Sequence, residues 1–114
     1  MQRDDAIRLR HMLDAVREAQ SFVASRSRPD LDSDRLLLLA LLKDIEIIGE
    51  AAGRVSIETR TGLSDIPWQD IMAVRNRLIH GYFDINLDIV WNTLTEDLPP
   101  LAEKLERALA STTS

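Results

Sequence analysis

The segment from residue 75 to residue 82 concentrates the chemically active side chains of this chain. It reads Arg-Asn-Arg-Leu-Ile-His-Gly-Tyr, and so places the guanidinium of Arg75, the carboxamide of Asn76, the imidazole of His80 and the phenol of Tyr82 close together. The chain has two histidines and one tyrosine, and this segment holds one of those histidines and that tyrosine. A guanidinium binds phosphate oxygens, and an imidazole exchanges protons near neutral pH. The segment could therefore hold a phosphate and move a proton.

The spacing of Arg75 and His80 limits how they can meet. On a regular helix each residue advances by about 100° around the axis, so these two residues, five apart, diverge by about 140°. They converge more easily if the helix ends at His80, or if residues from two copies of the chain meet in one groove. A histidine at a helix carboxyl end is favoured in its protonated form by the helix dipole. Such a group suits acid–base cleavage of a phosphodiester through the ribose 2′-hydroxyl, with Arg75 stabilising the phosphoryl oxygens and no metal required.

The same residues also have a purely structural interpretation. Arg75 would then form an ion pair with one of three carboxylates, Asp70, Asp84 or Glu50. His80 would cap the helix and Tyr82 would fill the edge of the core. Spacing alone favours this structural interpretation.

Length and composition indicate one domain spanning residues 1–114, with a frayed tail at residues 111–114. The chain has 114 residues, of which 45% are hydrophobic, enough for a core without covalent cross-links. It has no cysteine, which excludes disulfides, cysteine catalysis and cysteine-based zinc sites and fits a reducing cytoplasm. The amino terminus shows no leader pattern, so we expect a cytoplasmic protein.

Charge and hydropathy narrow the classes of partner. The net charge of −5 argues against a broad nucleic-acid surface, although a local phosphate site stays possible. Only Lys43 and Lys104 of the 14 basic residues are lysines, a bias that suits planar contacts to phosphate but can equally reflect genomic composition. The longest apolar run, residues 36–42, is far below the roughly 18 residues that cross a bilayer.

Apolar periodicity predicts a helix over residues 4–26, a loop around Pro29, and a second helix that begins near Asp32 or Ser33 and ends near residues 53–55. Residues 36–42 of this second helix are all apolar. Either part of that surface packs against a second subunit, or the helix is central and buried by its own chain.

Small and acidic residues follow in the same helix. Gly49, Ala52 and Gly53 would let another backbone approach closely, which would explain two residues of poor helix propensity in this helix. Glu46 and Glu50 lie one turn apart, where they could hold a metal. They could equally give electrostatic support, for example Glu50 with Arg54 four residues later.

Residues 56–66 lack a sustained period and are expected to form a loop with at most a short helical turn. Pro67 suits the first position of the next helix, and Gly81 would end it after His80. Apolar residues then recur from about residue 87 to 110, across Pro99 and Pro100, so we expect a helix kinked near residues 95–98 or two abutting helices. The fold predicted is an all-α bundle of four or five helices.

Several blocks of sequence resemble the HepT-like branch of the HEPN superfamily. The central block is Ile-Pro-Trp-Gln-Asp-Ile at residues 66–71, followed by the Arg-x4-His-x-Tyr motif with its first residue at Arg75. Similar blocks precede and follow it, at residues 46–52, 88–91 and 95–99. The similarity spans about residues 4 to 108, and the matching blocks occur in order.

The resemblance implies a homodimeric HEPN-type bundle that is the toxin of a type VII-like toxin–antitoxin pair. It implies an endoribonuclease acting on RNA such as tRNA or mRNA, without a cofactor, in which Arg75 and His80 are catalytic and Asn76 supports them. The partner would be an MntA-like nucleotidyltransferase that silences the toxin by transferring AMP to Tyr82. The alternative function is a non-catalytic helical module that binds nucleotides or only dimerises.

Overall fold

The structure is a computed structural model that describes residues 1–80 and 85–111. All the secondary structure in these residues is helical. The helices are α1 Arg3–Val23, α2 Asp30–Ser33, α3 Arg35–Arg54, α4 Ile57–Gly62, α5 Trp68–His80, α6 Leu87–Asn92 and α7 Leu98–Ala110, and a π-helical segment, Thr93–Asp97, joins α6 to α7. This confirms the predicted all-α fold. The bundle has four long helical segments: α1, α3, α5 and the continuous segment from α6 to α7. The two short helices are α2 and α4.

Helix α3 is the centre of the bundle. It packs against α1 on one side and against α5 on another, while α1 also packs against α7. Leu37, Leu41, Ile45 and Ile48 are buried because they recur at three- and four-residue steps on one face. On the opposite face Leu36 keeps 82% of its surface exposed. The chain therefore buries one face of the apolar run itself and leaves the other open.

The start of α3 corrects one prediction. Its N-cap is Asp34, whose carboxylate accepts a hydrogen bond from the Leu37 amide at 3.0 Å, and not Asp32 or Ser33. Those two residues belong to α2, a short helix inside the stretch expected to lead directly into α3. The Ser27 amide donates to the Asp30 carboxylate at 2.8 Å, so a local turn holds this segment before α3 begins.

The helical segment from α6 to α7 is irregular just before its two prolines. The Leu98 amide donates to the Thr93 carbonyl five residues back, which makes the segment π-helical. Pro99 and Pro100 have no amide proton, so the carbonyls of the preceding turn lose their regular partners. The distortion lies at Thr93–Asp97, slightly earlier than the predicted 95–98, and the path continues as one apolar stripe.

None of the helices in the described part of the chain is long and apolar enough to cross a membrane.

Candidate functional site

Helix α5 carries the motif, and its beginning is anchored. Trp68 is buried, and its indole Nε1 donates to the Leu63 carbonyl at 3.1 Å. Asp70 lies in the first turn, where the helix dipole favours an acid. The helix extends to His80, as the sequence predicts. Gly81, predicted to end it, lies outside the described residues.

The stem of Arg75 lies directly against α3 at Gly49. A Cβ atom built on Gly49 would overlap the Cβ and Cγ atoms of Arg75. The sequence predicted a close approach at Gly49, but the group that approaches is a side chain of α5 and not another backbone. Gly53, one turn further, has only an ordinary contact, with the Met72 sulfur at 3.7 Å. Gly49 is thus the position at which the absence of a side chain decides where Arg75 lies.

The guanidinium of Arg75 is held by an amide. Its Nη1 donates to the Asn76 side-chain oxygen at 3.1 Å, and its Nε is buried without a hydrogen-bond partner. Glu50, one of the carboxylates considered for it, pairs instead with Arg54 at 3.0 Å, as the four-residue spacing predicted. Among the described residues, Arg75 has no carboxylate within ion-pair distance. Asp84, another of the predicted partners, lies outside the described residues.

A cleft of about 180 Å³ lies between α3 and α5, with Arg75 in its lining. We call it the Arg75 cleft. Its lining residues are Leu39, Leu42, Lys43, Ile45, Glu46, Arg75 and Leu78. Lys43 and Glu46 form a loose ion pair with 3.9 Å between Nζ and Oε2. The cleft combines two cations, one carboxylate and apolar walls.

The structure describes the side chains of some of the predicted site residues and not of others. Arg75 and Asn76 are in contact, and His80 is the last residue of the same helix. The predicted convergence of the His80 ring with Arg75, and the predicted position of Tyr82, lie outside what the structure describes. Sequence reasoning missed Lys43 as a neighbour of Arg75. Lys43 lies three residues before Glu46 and four residues after Leu39. This spacing was the signal, since it places all three residues on one face of α3.

Glu46 and Glu50, whose spacing could also suit a metal, each lie beside a cation: Glu46 beside Lys43 and Glu50 beside Arg54. The described residues contain no cluster of three or more histidine, aspartate or glutamate side chains placed to hold a metal ion.

Fold and site together define a helical protein with an arginine in the lining of an interhelical cleft, one residue before an amide and five before a histidine. Within residues 1–80 and 85–111 this arginine has no carboxylate partner. More specifically, the chain belongs to the HepT-like ribonuclease family. The family model described as ribonuclease HepT-like matches residues 12–108. The resemblance found in the motif blocks is thereby confirmed.

Three relatives illustrate the membership. A candidate RNase of Caldanaerobacter subterraneus subsp. tengcongensis is 34% identical over 101 residues, which cover 89% of this chain and 90% of the relative. A protein of Thermococcus cleftensis named as a probable ribonuclease HepT is 29% identical over 94% of this chain and 97% of its own. A gamma-glutamylcyclotransferase and candidate RNase of Methanocaldococcus jannaschii is 30% identical over 92% of this chain. The match covers only 47% of that third protein, about half its length. No solved structure matches the chain.

Proposed function

We propose that this protein is a metal-independent endoribonuclease that cleaves RNA with Arg75 and His80. Membership of a ribonuclease family supports the activity. The observation that carries the proposal is the Arg75 guanidinium, which has a fixed stem and no described carboxylate partner. A positioned, unneutralised guanidinium is suited to stabilise charge that develops on phosphoryl oxygens.

In the proposed reaction, the ribose 2′-oxygen attacks the adjacent phosphorus while the bond from phosphorus to the 5′-oxygen breaks. The 2′-hydroxyl loses its proton to a base, and the leaving 5′-oxygen gains one from an acid. His80 serves in this proton transfer, since imidazole is the side chain that most often acts as a general acid or base. Arg75 stabilises the phosphoryl oxygens, and Asn76 holds Arg75 through the 3.1 Å hydrogen bond.

The test is cleavage of tRNA and mRNA by the purified protein in the presence of EDTA. Wild type should produce fragments, while Arg75→Ala and His80→Ala should not, with circular dichroism unchanged. An RNA with a 2′-deoxynucleotide at the mapped cleavage site should resist. Absence of cleavage by wild type, together with equal growth inhibition by wild type and both variants, would refute the proposal.

The proposed biological role is the toxin of a type VII-like toxin–antitoxin pair, neutralised by an MntA-like nucleotidyltransferase. In this step the Tyr82 hydroxyl loses its proton to a base of the nucleotidyltransferase, and its oxygen attacks the α-phosphorus of ATP. The new O–P bond forms while the bond from the α-phosphorus to the β-phosphate oxygen breaks, and pyrophosphate leaves. Tyr82 is the only tyrosine of the chain and follows His80 by two residues, so AMP there would lie close to the catalytic pair. Intact-mass measurement after co-expression should show added AMP on wild type and none on Tyr82→Phe. An unmodified Tyr82 in a fully neutralised complex would exclude this role.

We also propose that the protein is a homodimer that uses the open face of α3. Leu36 and Leu39 are exposed there, at 82% and 38%. Leu39 also lines the Arg75 cleft, so a second copy on this face would border the site. A symmetric dimer would bury Leu36 of both copies.

A second candidate function, nucleotide binding without catalysis, is favoured by the same cleft, because Arg75 and Lys43 can hold a phosphate without His80. Calorimetry with nucleotides separates the two. Tight binding without RNA products favours the binding module.

A further inference from the structure

The Arg75 cleft has the size of a site for one small group. Its volume of about 180 Å³ is below the range of about 300–1,000 Å³ that is usual for pockets holding drug-sized ligands. It opens between two packed helices, α3 and α5, so its walls are set by the same contact that places Arg75. A single nucleobase matches this size better than an entire nucleotide.

The walls of the cleft are chemically mixed in a way that suits a base. Leu39, Leu42 and Leu78 provide apolar surface against which a flat ring can pack. Glu46 provides carboxylate oxygens, which only accept hydrogen bonds when ionised. Exocyclic amino groups of adenine, cytosine and guanine donate such bonds. The only donor of uracil is its ring N3–H, which lies between two carbonyl oxygens that repel a carboxylate.

The two charged groups of α3 are available for a ligand. The Lys43–Glu46 distance of 3.9 Å is longer than the 3.0 Å of the Arg54–Glu50 pair one turn further along α3. The side chain of Lys43 is 65% exposed and that of Glu46 is 38% exposed. A loose surface pair of this kind contributes little to stability, so exchanging it for contacts with a ligand has a small cost. Both side chains line the cleft, so Lys43 can bind a phosphate and Glu46 a base in the same site.

We propose that the Arg75 cleft binds the nucleobase next to the scissile phosphate, an inference that rests on the proposed ribonuclease function. Glu46 accepts a hydrogen bond from the exocyclic amino group of the base, and Lys43 binds a neighbouring phosphate together with Arg75. The enzyme therefore prefers adenine, cytosine or guanine over uracil at this position. Lys43 and Glu46 contact substrate and determine affinity and base choice, while proton transfer stays with His80.

The experiment measures binding of AMP, CMP, GMP, UMP and inorganic phosphate to the full chain by calorimetry or NMR titration. At least one amino-bearing nucleotide should bind about tenfold more tightly than UMP, as expected for a hydrogen bond to a charged group. Glu46→Ala should remove this discrimination. Lys43→Ala should weaken all nucleotides by about tenfold, because it removes a charged contact to phosphate.

Matched controls come from the same chain. Glu58→Ala removes an exposed glutamate from α4, and Lys104→Ala removes the only other lysine, on α7. Both should leave nucleotide binding unchanged. Equal binding of all nucleotides and inorganic phosphate, or equal losses in Lys43→Ala and Lys104→Ala, would overturn the proposal.

The experiments distinguish a wrong assignment of the base site from a wrong assignment of the ribonuclease function. If Arg75→Ala and His80→Ala abolish RNA cleavage but Lys43→Ala and Glu46→Ala retain wild-type KM and base preference, the ribonuclease stands and the base site is wrong. If wild type cleaves no RNA yet binds amino-bearing nucleotides through Glu46, the cleft is a base site and the ribonuclease is wrong.

Discussion

Gly49 of α3 and Arg75 of α5 are in direct contact, and there is no room for a side chain at the glycine. The overlap that a Cβ atom would create is with Cβ and Cγ of Arg75, close to the backbone of α5, and not with the flexible end of the guanidinium. An added methyl group could not be accommodated by a small rotation at the tip. The residue proposed to bind phosphate is thus positioned by a glycine on another helix.

We predict that Gly49→Ala impairs RNA cleavage while the protein stays folded. The added methyl group must push α5 away from α3, because a change of rotamer moves Cγ of Arg75 but leaves its Cβ in place. A displacement of about 1 Å at a catalytic group can cost about 100-fold in rate. The measurements are kcat and KM on RNA, with circular dichroism to verify the fold.

The control for this prediction is Gly53→Ala, at a position with open space and only an ordinary contact to Met72. It should keep wild-type activity, and its melting temperature should rise slightly because alanine favours helix more than glycine. Equal activities of the two alanine variants would contradict the role assigned to Gly49.

We predict that Asn76→Ala lowers cleavage by about tenfold, the loss expected when a hydrogen bond to a charged group is removed. The change frees Nη1 of Arg75 from its 3.1 Å partner. Asn76→Asp should be more damaging, since a carboxylate at this position would compete with phosphate for the guanidinium. Asn92→Ala, which changes an exposed asparagine on α6, is the control. If Asn76→Asp cleaved RNA as well as wild type, Arg75 would not be the phosphate ligand.

For the proposed dimer, we predict that Leu36→Glu shifts the protein to monomer in analytical ultracentrifugation. Burial of a leucine contributes about 1.5–3 kcal/mol and a symmetric dimer loses two of them, so association should weaken by at least roughly 100-fold. Ile57→Glu is the control, because Ile57 is also strongly exposed, at 72%, but lies on α4. A monomeric wild type, or equal effects of the two changes, would disprove this interface.

We predict that the free energy of unfolding falls as pH rises because of Asp44. It is buried between α1 and α3, and this burial, together with the nearby Glu18 carboxylate, raises its pKa from 3.8 to about 7. A hydrogen bond between the two acids requires one of them to carry a proton. The folded protein therefore holds a proton that the unfolded chain releases, and the stabilisation is complete below pH 3.8 and lost as pH rises through 7.

Replacement of Asp44 by asparagine should remove this dependence. Urea unfolding at pH 5 and pH 8 should show a smaller loss of stability for Asp44→Asn than for wild type, with a difference of a few kcal/mol, since one pKa unit corresponds to about 1.4 kcal/mol. Asp14→Asn, which alters an exposed acid of α1, should behave like wild type. Identical pH profiles of wild type and Asp44→Asn would show that Asp44 does not hold the proton.

Asp5 should show the opposite dependence on pH. Its carboxylate accepts hydrogen bonds from the Ser56 amide at 2.9 Å and from the hydroxyls of Ser56 and Thr59, each at 2.6 Å. The hydroxyl of Ser56 first, and that of Thr59 next, lower the pKa of Asp5 below 3.8. Its contribution is present above pH 3.8 and is lost as pH falls further through the lowered pKa.

Asp5→Ala should therefore cost about 1–3 kcal/mol at pH 7, because three donors at the start of α4 lose their acceptor. Thermal unfolding at pH 7 and pH 3 measures the effect, which should shrink at the lower pH. Asp4→Ala, at the exposed neighbour, is the control. An unchanged melting temperature in Asp5→Ala would mean that α4 does not depend on this carboxylate.

The sequence by itself determined the helical class, the position of the main helices and the segment that carries the chemistry. These features follow from local rules: apolar residues at three- and four-residue steps indicate helices, and Pro67 and the proline pair mark a start and a distortion. The predicted N-cap of α3 was nevertheless wrong by one or two residues, because the two candidate residues belong to the short helix α2.

Only the tertiary structure decided which side chains meet. Residues 49 and 75 are far apart in sequence, as are residues 5 and 56. The periodicity of apolar residues does not predict the distance and angle at which helices cross. The unpaired state of the Arg75 guanidinium among the described residues, the burial of Asp44 and the cleft beside Lys43 all depend on that crossing. Periodicity indicates which face of a helix turns inward, but the contacts on that face belong to the packing of the whole bundle.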